Sequence, residues 1–276
     1  MSTHENRKPL KVGCQTFTWE MLGERWRGTA DDLLDAIARA GYAGIEITDT
    51  MIGGYDGRPE AFAEALKARG LTLVAYACGS RSGFTEEAAL ADDLKMAARA
   101  IAFARAFPDA HMSFGSATIM SKGPRAAKFA TAARFYNGAA ELGRKAGVPV
   151  AVHPSSHHDT LLLTRADYDE LFARLDAGVG WVPDTGHILR GGQDILDTLR
   201  SYADRIRYLH LKDVDAAGDW QMLGAGLCDT AAVIEAVRAA PAFNGWLVLE
   251  EESEAAARDP AAAVATNRAT LRRFEA

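Results

Sequence analysis

The chain has 276 residues, of which 48% are hydrophobic and 25% are charged. These proportions are typical of a globular protein and exclude an intrinsically disordered chain, which has fewer apolar residues and a larger charge imbalance. The 31 lysines and arginines are outnumbered by 37 aspartates and glutamates, which gives a net charge of −6. This balance argues against a nucleic acid partner, because binding to phosphates requires clustered cations.

The cysteines and the amino terminus indicate where the protein works. Cys14, Cys78 and Cys228 are far apart in the sequence and form no CxxC pair, so we expect packing residues in a reducing compartment. Residues 1–13 lack the apolar core of a secretory signal, and no stretch approaches about 18 consecutive apolar residues. We therefore expect a cytoplasmic protein with no membrane partner.

Short apolar, β-branched runs alternate with helical patterns along the whole chain. Strands are predicted at 11–17, 44–48, 71–77, 111–116, 148–154, 179–184, 206–213 and 246–251. Helices are predicted at 30–40, 59–69, 86–107, 124–146, 165–175, 194–203, 230–239 and 260–274. The first of these helices begins with a capping-type signal at Thr29 and ends at Gly41.

The alternation of strands and helices predicts a parallel sheet in an α/β fold. Eight such units favour a closed (β/α)₈ TIM barrel over an open doubly wound sheet. No glycine-rich phosphate-binding motif follows the first strand, which removes the main argument for a dinucleotide-binding fold. Because no linker divides the chain, we predict one barrel domain over residues 1–276, with a polar tail at 1–10.

Polar side chains end four consecutive predicted strands: His153, Asp184, His210 and Glu250. Active-site groups of such barrels lie at the carboxyl ends of the strands, so the four should meet there. A single carboxylate at a strand end is usually a helix cap or an ion-pair partner, and a single histidine is often a core residue. The joint occurrence of all four instead predicts a divalent metal site, with Mn²⁺ as first choice and Co²⁺, Mg²⁺, Fe²⁺ or Zn²⁺ as alternatives.

Four sequence runs carry a family resemblance: VPDTGHILRGG (182–192), RIRYLHLKDV (205–214), LGAG (223–226) and NGWLVLEEE (244–252). They resemble the sugar phosphate isomerase/epimerase superfamily with the xylose-isomerase-like barrel, and within it most closely the inosose dehydratase and 3-keto-glycoside lyase branches. The resemblance implies metal ligands at Asp184, His210 and Glu250 and a substrate contact at His187. At position 153, where ketose epimerases of the superfamily usually have glutamate, this chain has His153.

The reaction that the resemblance implies begins at a ketone next to a hydroxyl-bearing carbon. A base removes the α-proton, the metal stabilises the enediolate, and loss of a β-substituent completes an elimination. We therefore expect a carbon–oxygen lyase that acts on a keto-sugar or keto-cyclitol, of the 3-keto-glycoside or inosose type. His153 or His187 is the expected base, His153 being alternatively a ligand, and Lys212 is expected to protonate the leaving group or polarise the carbonyl.

Further residues are candidates for contact with the substrate. Gln15, Phe17 and Trp19 alternate on the first predicted strand, where they either form a wall for a sugar ring or fill the barrel. Glu46 lies between two isoleucines and should point into the barrel, either to bind substrate or to form an ion pair.

The residues around the predicted ligands have supporting roles. Either His157 or His158, on the loop after the fifth strand, is expected to reach the substrate. Asp213 and Glu252 are expected to hold the ligands by accepting their N–H groups.

Three alternative functions differ in what they require of the sequence. A ketose isomerase or 3-epimerase would use the same site. A phosphodiester hydrolase of the endonuclease IV branch would need more metal ligands in the first half and basic loops. A non-catalytic sugar-binding subunit would not need a metal beside acid–base groups. The expected partner is a small keto-sugar or keto-cyclitol, with a homo-oligomer or a small accessory subunit also open.

Overall fold

The structure is a computed structural model that describes residues 9–274. Its strands are β1 (Lys11–Gln15), β2 (Gly44–Thr48), β3 (Thr72–Cys78), β4 (His111–Phe114), β5 (Val150–Val152), β6 (Gly180–Trp181), β7 (Leu209–Leu211), β8 (Asp213–Val214), β9 (Trp220–Gln221) and β10 (Trp246–Leu249). Most of the predicted tail, residues 1–8, lies outside the described residues.

The helices alternate with these strands. They are α1 (Phe17–Glu20), α2 (Ala30–Ala40), α3 (Pro59–Ala68), α4 (Leu90–Ala104), α5 (Arg125–Ala146), α6 (Arg165–Phe172), α7 (Thr185–Arg190), α8 (Ile195–Ser201), α9 (Thr230–Arg238), α10 (Glu254–Arg258) and α11 (Pro260–Leu271). Within the described part of the chain, every helix is too short or too polar to traverse a membrane.

Eight parallel strands form one sheet in the order β6-β5-β4-β3-β2-β1-β10-β7. Its two ends are joined by parallel bridges, from Trp181 to Ile206 and from Asp184 to His210. These bridges close the sheet into the (β/α)₈ barrel, and all eight predicted strands take part in it. The predicted fold class is therefore confirmed. The strands β8 and β9 form a separate antiparallel hairpin that the sequence did not predict.

Apolar side chains from several strands fill the interior of the barrel. The polar residues lie at its carboxyl end. The inner apolar cluster consists of Val74, Ala75, Ala151, Val182, Tyr208, Trp246 and Val248. A larger apolar cluster packs the helices against the outer face of the strands. Cys14, Cys78 and Cys228 are buried and unpaired, in agreement with their predicted packing role.

The helix α2 shows why the predicted elements form where they do. The hydroxyl of Thr29 accepts the N–H of Asp32, whose carboxylate accepts the N–H of Thr29, and this capping box satisfies two helix-start amides. Gly41 ends the helix at φ 85°, a left-handed conformation that favours glycine.

The first strand is shorter than predicted, and this moves one predicted site residue. β1 ends at Gln15, and the carbonyl of Thr16 then accepts N–H groups from Trp19 and Glu20, which starts α1. Phe17 and Trp19 are therefore helical and do not share a strand face with Gln15. Trp19 is buried in the apolar cluster outside the barrel, so its predicted place in a substrate wall is wrong.

Candidate functional site

The four predicted ligands meet at the carboxyl end of the barrel. The Nε2 of His153 and the Oε2 of Glu250 each lie 3.0 Å from the Nδ1 of His210. The Oδ2 of Asp184 lies 3.6 Å from the Nε2 of His153 and 3.8 Å from the Nδ1 of His210. Asp184, His210 and Glu250 are buried, and His153 is partly accessible. We call these four residues the ligand cluster.

Asp184 enters the ligand cluster because it is also the N-cap of α7. Its Oδ1 accepts the backbone N–H of His187 at 2.9 Å, which is the usual cap bond of a helix start. This bond turns Oδ2 into the cluster, where it is fully buried and no residue of the described range 9–274 donates a hydrogen bond to it. A buried carboxylate oxygen without a partner is costly, and a bound cation removes that cost.

Glu46 supports His210 from the opposite side of the ring. Its Oε2 lies 2.8 Å from the Nε2 of His210, and both side chains are buried. Of the two alternatives predicted for Glu46, the structure has the ion pair, although the carboxylate also lines the adjacent cavity. With the Nε2 proton donated to Glu46, the Nδ1 of a neutral His210 presents its lone pair to the ligand cluster.

The ligand cluster requires a positive charge at its centre. Burial opposes protonation of His210, but the carboxylates of Glu46 and Glu250 outweigh it and raise its pKa to about 10. Burial would raise the pKa of Asp184, but the charge of Lys212 holds it well below its usual value. Ligand atoms around a divalent ion bound at about 2.1 Å are separated by about 3.0–3.4 Å, close to the separations here. The residues therefore fit a divalent metal ion.

Lys212 lies directly beside the ligand cluster. Its Nζ donates to the Oε1 of Glu250 at 2.9 Å, contacts the Oε1 of Glu252, and lies 4.1 Å from the ring centre of Trp220. Burial would lower the pKa of Lys212, but the two glutamates outweigh it and raise the pKa well above the usual value. Lys212 is thus held as a cation, and it can donate hydrogen bonds but is a poor proton source at neutral pH.

His187 also lies beside the ligand cluster, but its hydrogen bonding and its pKa do not suit a general base. Its Nδ1 accepts the backbone N–H of Ser156 at 3.0 Å, so in the neutral ring the proton is on Nε2. Burial and the neighbouring Lys212 lower its pKa well below the usual value. The predicted role of His187 as base does not fit this geometry, which makes it a neutral hydrogen-bond donor.

His157 is the histidine of the loop after β5 that reaches this site. Its Nε2 lies 2.9 Å from the Oε2 of Glu252, and its side chain is 33% exposed. His158 is exposed to solvent. His157, His187 and Glu252 together form a second group with metal-ligand spacing. The proton on the Nε2 of His187 and the pairing of Glu252 with the Lys212 ammonium both disfavour an ion in this second group.

A cavity of about 490 Å³ opens beside the ligand cluster. It is bounded by the residues that end β1 to β4 and by His153, which is the ligand that faces it. Gln15 and Phe17 line this cavity, and the Oε1 of Gln15 accepts the backbone N–H of Phe17. A volume of this size is within the range of small-molecule sites.

Asp213 does not support a ligand, contrary to prediction. Its carboxylate accepts backbone N–H groups from Gly224, Gly226 and Cys228 at 2.9–3.0 Å. Asp213 therefore shapes the LGAG loop, because these bonds satisfy both of its oxygens. Glu252 also has another function, since it contacts Lys212 and not a ligand.

Sequence reasoning missed Trp220 and Ser156. Trp220 lies on the β8–β9 hairpin and contacts the rings of His157 and His187 at 5.8 and 5.2 Å between centroids. Strands of two residues have no periodic pattern, so nothing in the sequence indicated this hairpin. Ser156 acts through its backbone N–H, which no side-chain motif predicts.

Comparisons with known proteins agree with this architecture. Residues 34–274 match the family described as the xylose isomerase-like TIM barrel. An inosose dehydratase of Geobacillus thermodenitrificans is 31% identical over 139 residues, which cover 44% of this chain and 46% of that protein. The chain thus spans about half the length of the curated relatives that it matches.

Two solved structures have the same fold. The 3-keto-D-glucoside 4-epimerase YcjR from E. coli aligns with a TM-score of 0.76 at 19% identity, over 96% of this chain and 99% of that one. An IolI protein with a bound zinc atom aligns with a TM-score of 0.77 at 15% identity, over 96% and 98% of the two chains. At these identities the likeness shows the barrel alone.

Proposed function

The chain belongs to the xylose isomerase-like TIM barrel family, and from this membership we propose that it is a divalent-metal-dependent carbon–oxygen lyase. Its substrate in this proposal is a keto-sugar or keto-cyclitol of the 3-keto-glycoside or inosose type. One observation carries the choice of elimination: the groups beside the ligand cluster are the hydrogen-bond donors Lys212 and His187. Donors suit a departing oxygen, whereas an epimerase needs proton-accepting groups on both faces of one carbon.

We assign the metal to His153, Asp184, His210 and Glu250. His153 is included as a ligand because its Nε2 lies as close to the Nδ1 of His210 as the Oε2 of Glu250 does. Such a donor set accepts Mn²⁺, our first choice, as well as Co²⁺, Fe²⁺, Zn²⁺ and Mg²⁺, and the IolI neighbour carries zinc. When bound, the ion supplies Lewis-acid stabilisation for the negative charge that develops on the substrate carbonyl.

Proton transfer then falls to His157. With His153 in the ligand cluster and the Nε2 of His187 protonated, His157 is the remaining imidazole among the described residues at the site, and its Nε2 lies 2.9 Å from the Oε2 of Glu252. His157 removes the α-proton, and the electron pair of that C–H bond forms the enolate. Collapse of the enolate breaks the β C–O bond, and the proton returns from His157 to the departing oxygen, which leaves as water or an alcohol.

Lys212 and His187 stabilise this reaction without giving up a proton. Lys212 is held as a cation by Glu250 and Glu252, so its ammonium donates a hydrogen bond to the departing oxygen. His187 donates from Nε2 to a substrate oxygen. This assignment replaces the predicted proton donation by Lys212 and keeps both residues in contact with the substrate.

The test is a metal-supplemented reaction with phenyl 3-keto-β-D-glucoside, followed by NMR in deuterium oxide. We expect phenol and an enone-type sugar. His157→Ala should reduce turnover by 10²–10⁴-fold while metal binding remains, as for loss of a general base, whereas His153→Ala should weaken metal binding itself. Deuterium entering an intact sugar without elimination would overturn the lyase proposal in favour of an isomerase or epimerase, and sugar binding without turnover in the metal-loaded protein would favour a non-catalytic subunit.

A further inference from the structure

The loop that follows β3 carries Arg81, and hydrogen bonds hold the loop on both sides of this residue. The hydroxyls of Ser80 and Ser82 donate to the two carboxylate oxygens of Asp93, at 2.6 and 2.5 Å. Asp93 lies on α4 and is 7% exposed. One buried carboxylate therefore immobilises both chain neighbours of Arg81, and its two oxygens are used for that purpose.

The part of the loop that follows Arg81 in sequence is also held by hydrogen bonds. The carbonyl of Gly83 accepts the N–H of Thr118 at 2.8 Å, and the hydroxyl of Thr85 donates to the carbonyl of Thr118, also at 2.8 Å. Gly83 has φ 60°, and a Cβ there would lie 2.1 Å from the carbonyl oxygen of Thr118. Only glycine permits this approach, so the backbone that carries Arg81 is rigid.

Arg81 projects from this rigid loop to the cavity beside the ligand cluster. Of the described residues that line the cavity, Arg81 is the only lysine or arginine, and His153 lines the same cavity. Arg81 is exposed, and no carboxylate of residues 9–274 lies within ion-pair distance of it. A free arginine is thus presented to whatever occupies the cavity.

The carboxylates of the cavity are not placed to neutralise Arg81. Glu46 pairs with His210, and Glu20 accepts the hydroxyl of Thr48 at 2.7 Å. Asp49 also lines the cavity, and burial, with the charge of Glu20, raises its pKa to about 6. These negative groups repel a phosphate dianion more strongly than a monoanion.

We propose that Arg81 binds a carboxylate on the leaving group of the substrate, within the cavity that His153 also lines. The planar guanidinium matches a carboxylate with two parallel hydrogen bonds. Because the loop is already ordered, little conformational entropy is lost on binding. The inference rests on the proposed lyase function, since it adds a carboxylate-bearing leaving group to the keto-sugar.

The test compares two matched leaving groups, 4-carboxyphenyl and the neutral isostere 4-carbamoylphenyl. Calorimetric titration of the metal-loaded protein with the two unoxidised β-D-glucosides measures binding without any turnover. We expect roughly 10- to 100-fold tighter binding of the carboxylate, as for a hydrogen bond to a charged group. Arg81→Gln should abolish this preference and Arg81→Lys should keep part of it. Arg99→Gln removes the same charge from an exposed position on α4 that lines the neighbouring cavity, and it should retain the preference.

Equal binding of the two glucosides, absence of binding for both, or a preference that survives in Arg81→Gln would each overturn the inference. Tighter binding of a 4-phosphonooxyphenyl glucoside than of the carboxylate would overturn the choice of carboxylate. Elimination rates measured with the corresponding 3-keto-glucosides show whether a failure concerns the role of Arg81 or the lyase function. A carboxylate preference in binding with no elimination of any keto-glucoside would contradict the lyase function alone, whereas elimination without preference would contradict the role of Arg81 alone.

Discussion

The Nε2 of His210 lies 2.8 Å from the Oε2 of Glu46, across the interior of the barrel and 164 residues away in sequence. The contact determines which nitrogen of His210 faces the ligand cluster, because the proton shared with Glu46 leaves the lone pair on Nδ1. It also explains a charged residue in the middle of the otherwise apolar strand β2. In the proposed metal site, Glu46 would therefore act through His210.

The first prediction concerns this contact. Glu46→Gln keeps the shape of the side chain but removes the negative charge that orients His210, so metal affinity should fall about 10- to 100-fold. Competition with a chelator of known affinity measures this change. Glu20→Gln is the matched control, because Glu20 lines the same cavity but contacts Thr48 and not His210. Equal metal affinity of the Glu46→Gln variant and the unaltered protein would contradict the assignment.

A second prediction concerns removal of the metal. An ion bound only by the folded protein stabilises it by about 2.7 kcal/mol when present at 100 times its dissociation constant. Addition of a chelator should therefore lower the Tm by several degrees. Asp184→Asn removes the carboxylate charge of one ligand, and its Tm should respond much less to the chelator. A Tm that is insensitive to both metal and chelator would rule out a metal site in the ligand cluster.

The third prediction is a pH dependence of the metal-free protein. The pKa of His210 is raised from 6.5 to about 10, so its protonated form stabilises the fold. This contribution is complete below about pH 6.5 and is lost as the pH rises through about 10. Urea unfolding of chelator-treated protein at several pH values between 6.5 and 9.5 should show stability falling by an amount on the order of a few kcal/mol.

Two comparisons isolate His210 in this experiment. His210→Gln cannot gain the proton, so its stability should change much less over the same pH range. With saturating metal the proton is already displaced, and metal affinity should rise with pH because binding releases a proton. Parallel pH profiles for the His210→Gln variant and the unaltered protein would contradict the assigned cause.

The barrel and the ligand cluster could be predicted from the sequence for one physical reason. Parallel strands put their carboxyl ends on the same side of the barrel, so polar residues that end successive apolar runs must converge. His153, Asp184 and Glu250 follow such runs, and His210 lies within the short strand β7. Strand order and hydrophobic pattern were sufficient to place these four side chains together.

The remaining parts of the site depend on contacts that no local pattern encodes. The proton position on His187 is set by a backbone N–H of Ser156. Trp19 does not lie in the predicted wall, because the chain forms a helix soon after Gln15. Asp213 is another example, since its partners are amides 11 to 15 residues further along the chain. Such bonds become visible only when loops are placed in three dimensions.

The last prediction concerns the glycine of the DTGH motif. A Cβ at Gly186 would lie 2.5 Å from the Cζ3 of Trp220 and 2.9 Å from the Cβ of Lys212, so the β8–β9 hairpin packs directly on this glycine. Gly186→Ala should therefore destabilise the protein by about 1–3 kcal/mol, measured by urea unfolding, although alanine normally favours a helix. Gly178→Ala is the control, because a Cβ there meets no atom within 4 Å.

A double substitution tests whether Trp220 causes this loss. Trp220→Leu removes the ring that the new methyl group would strike, so Gly186→Ala should cost less in the Trp220→Leu background. Gly186→Ala should also change turnover less in the Trp220→Leu background than in the unaltered protein. The reason is that the ring of Trp220 lies 4.1 Å from the ammonium of Lys212, so displacement of the Trp220 ring uncovers that ammonium. Strictly additive unfolding free energies would show that the two positions do not interact, and the requirement for glycine would then need another cause.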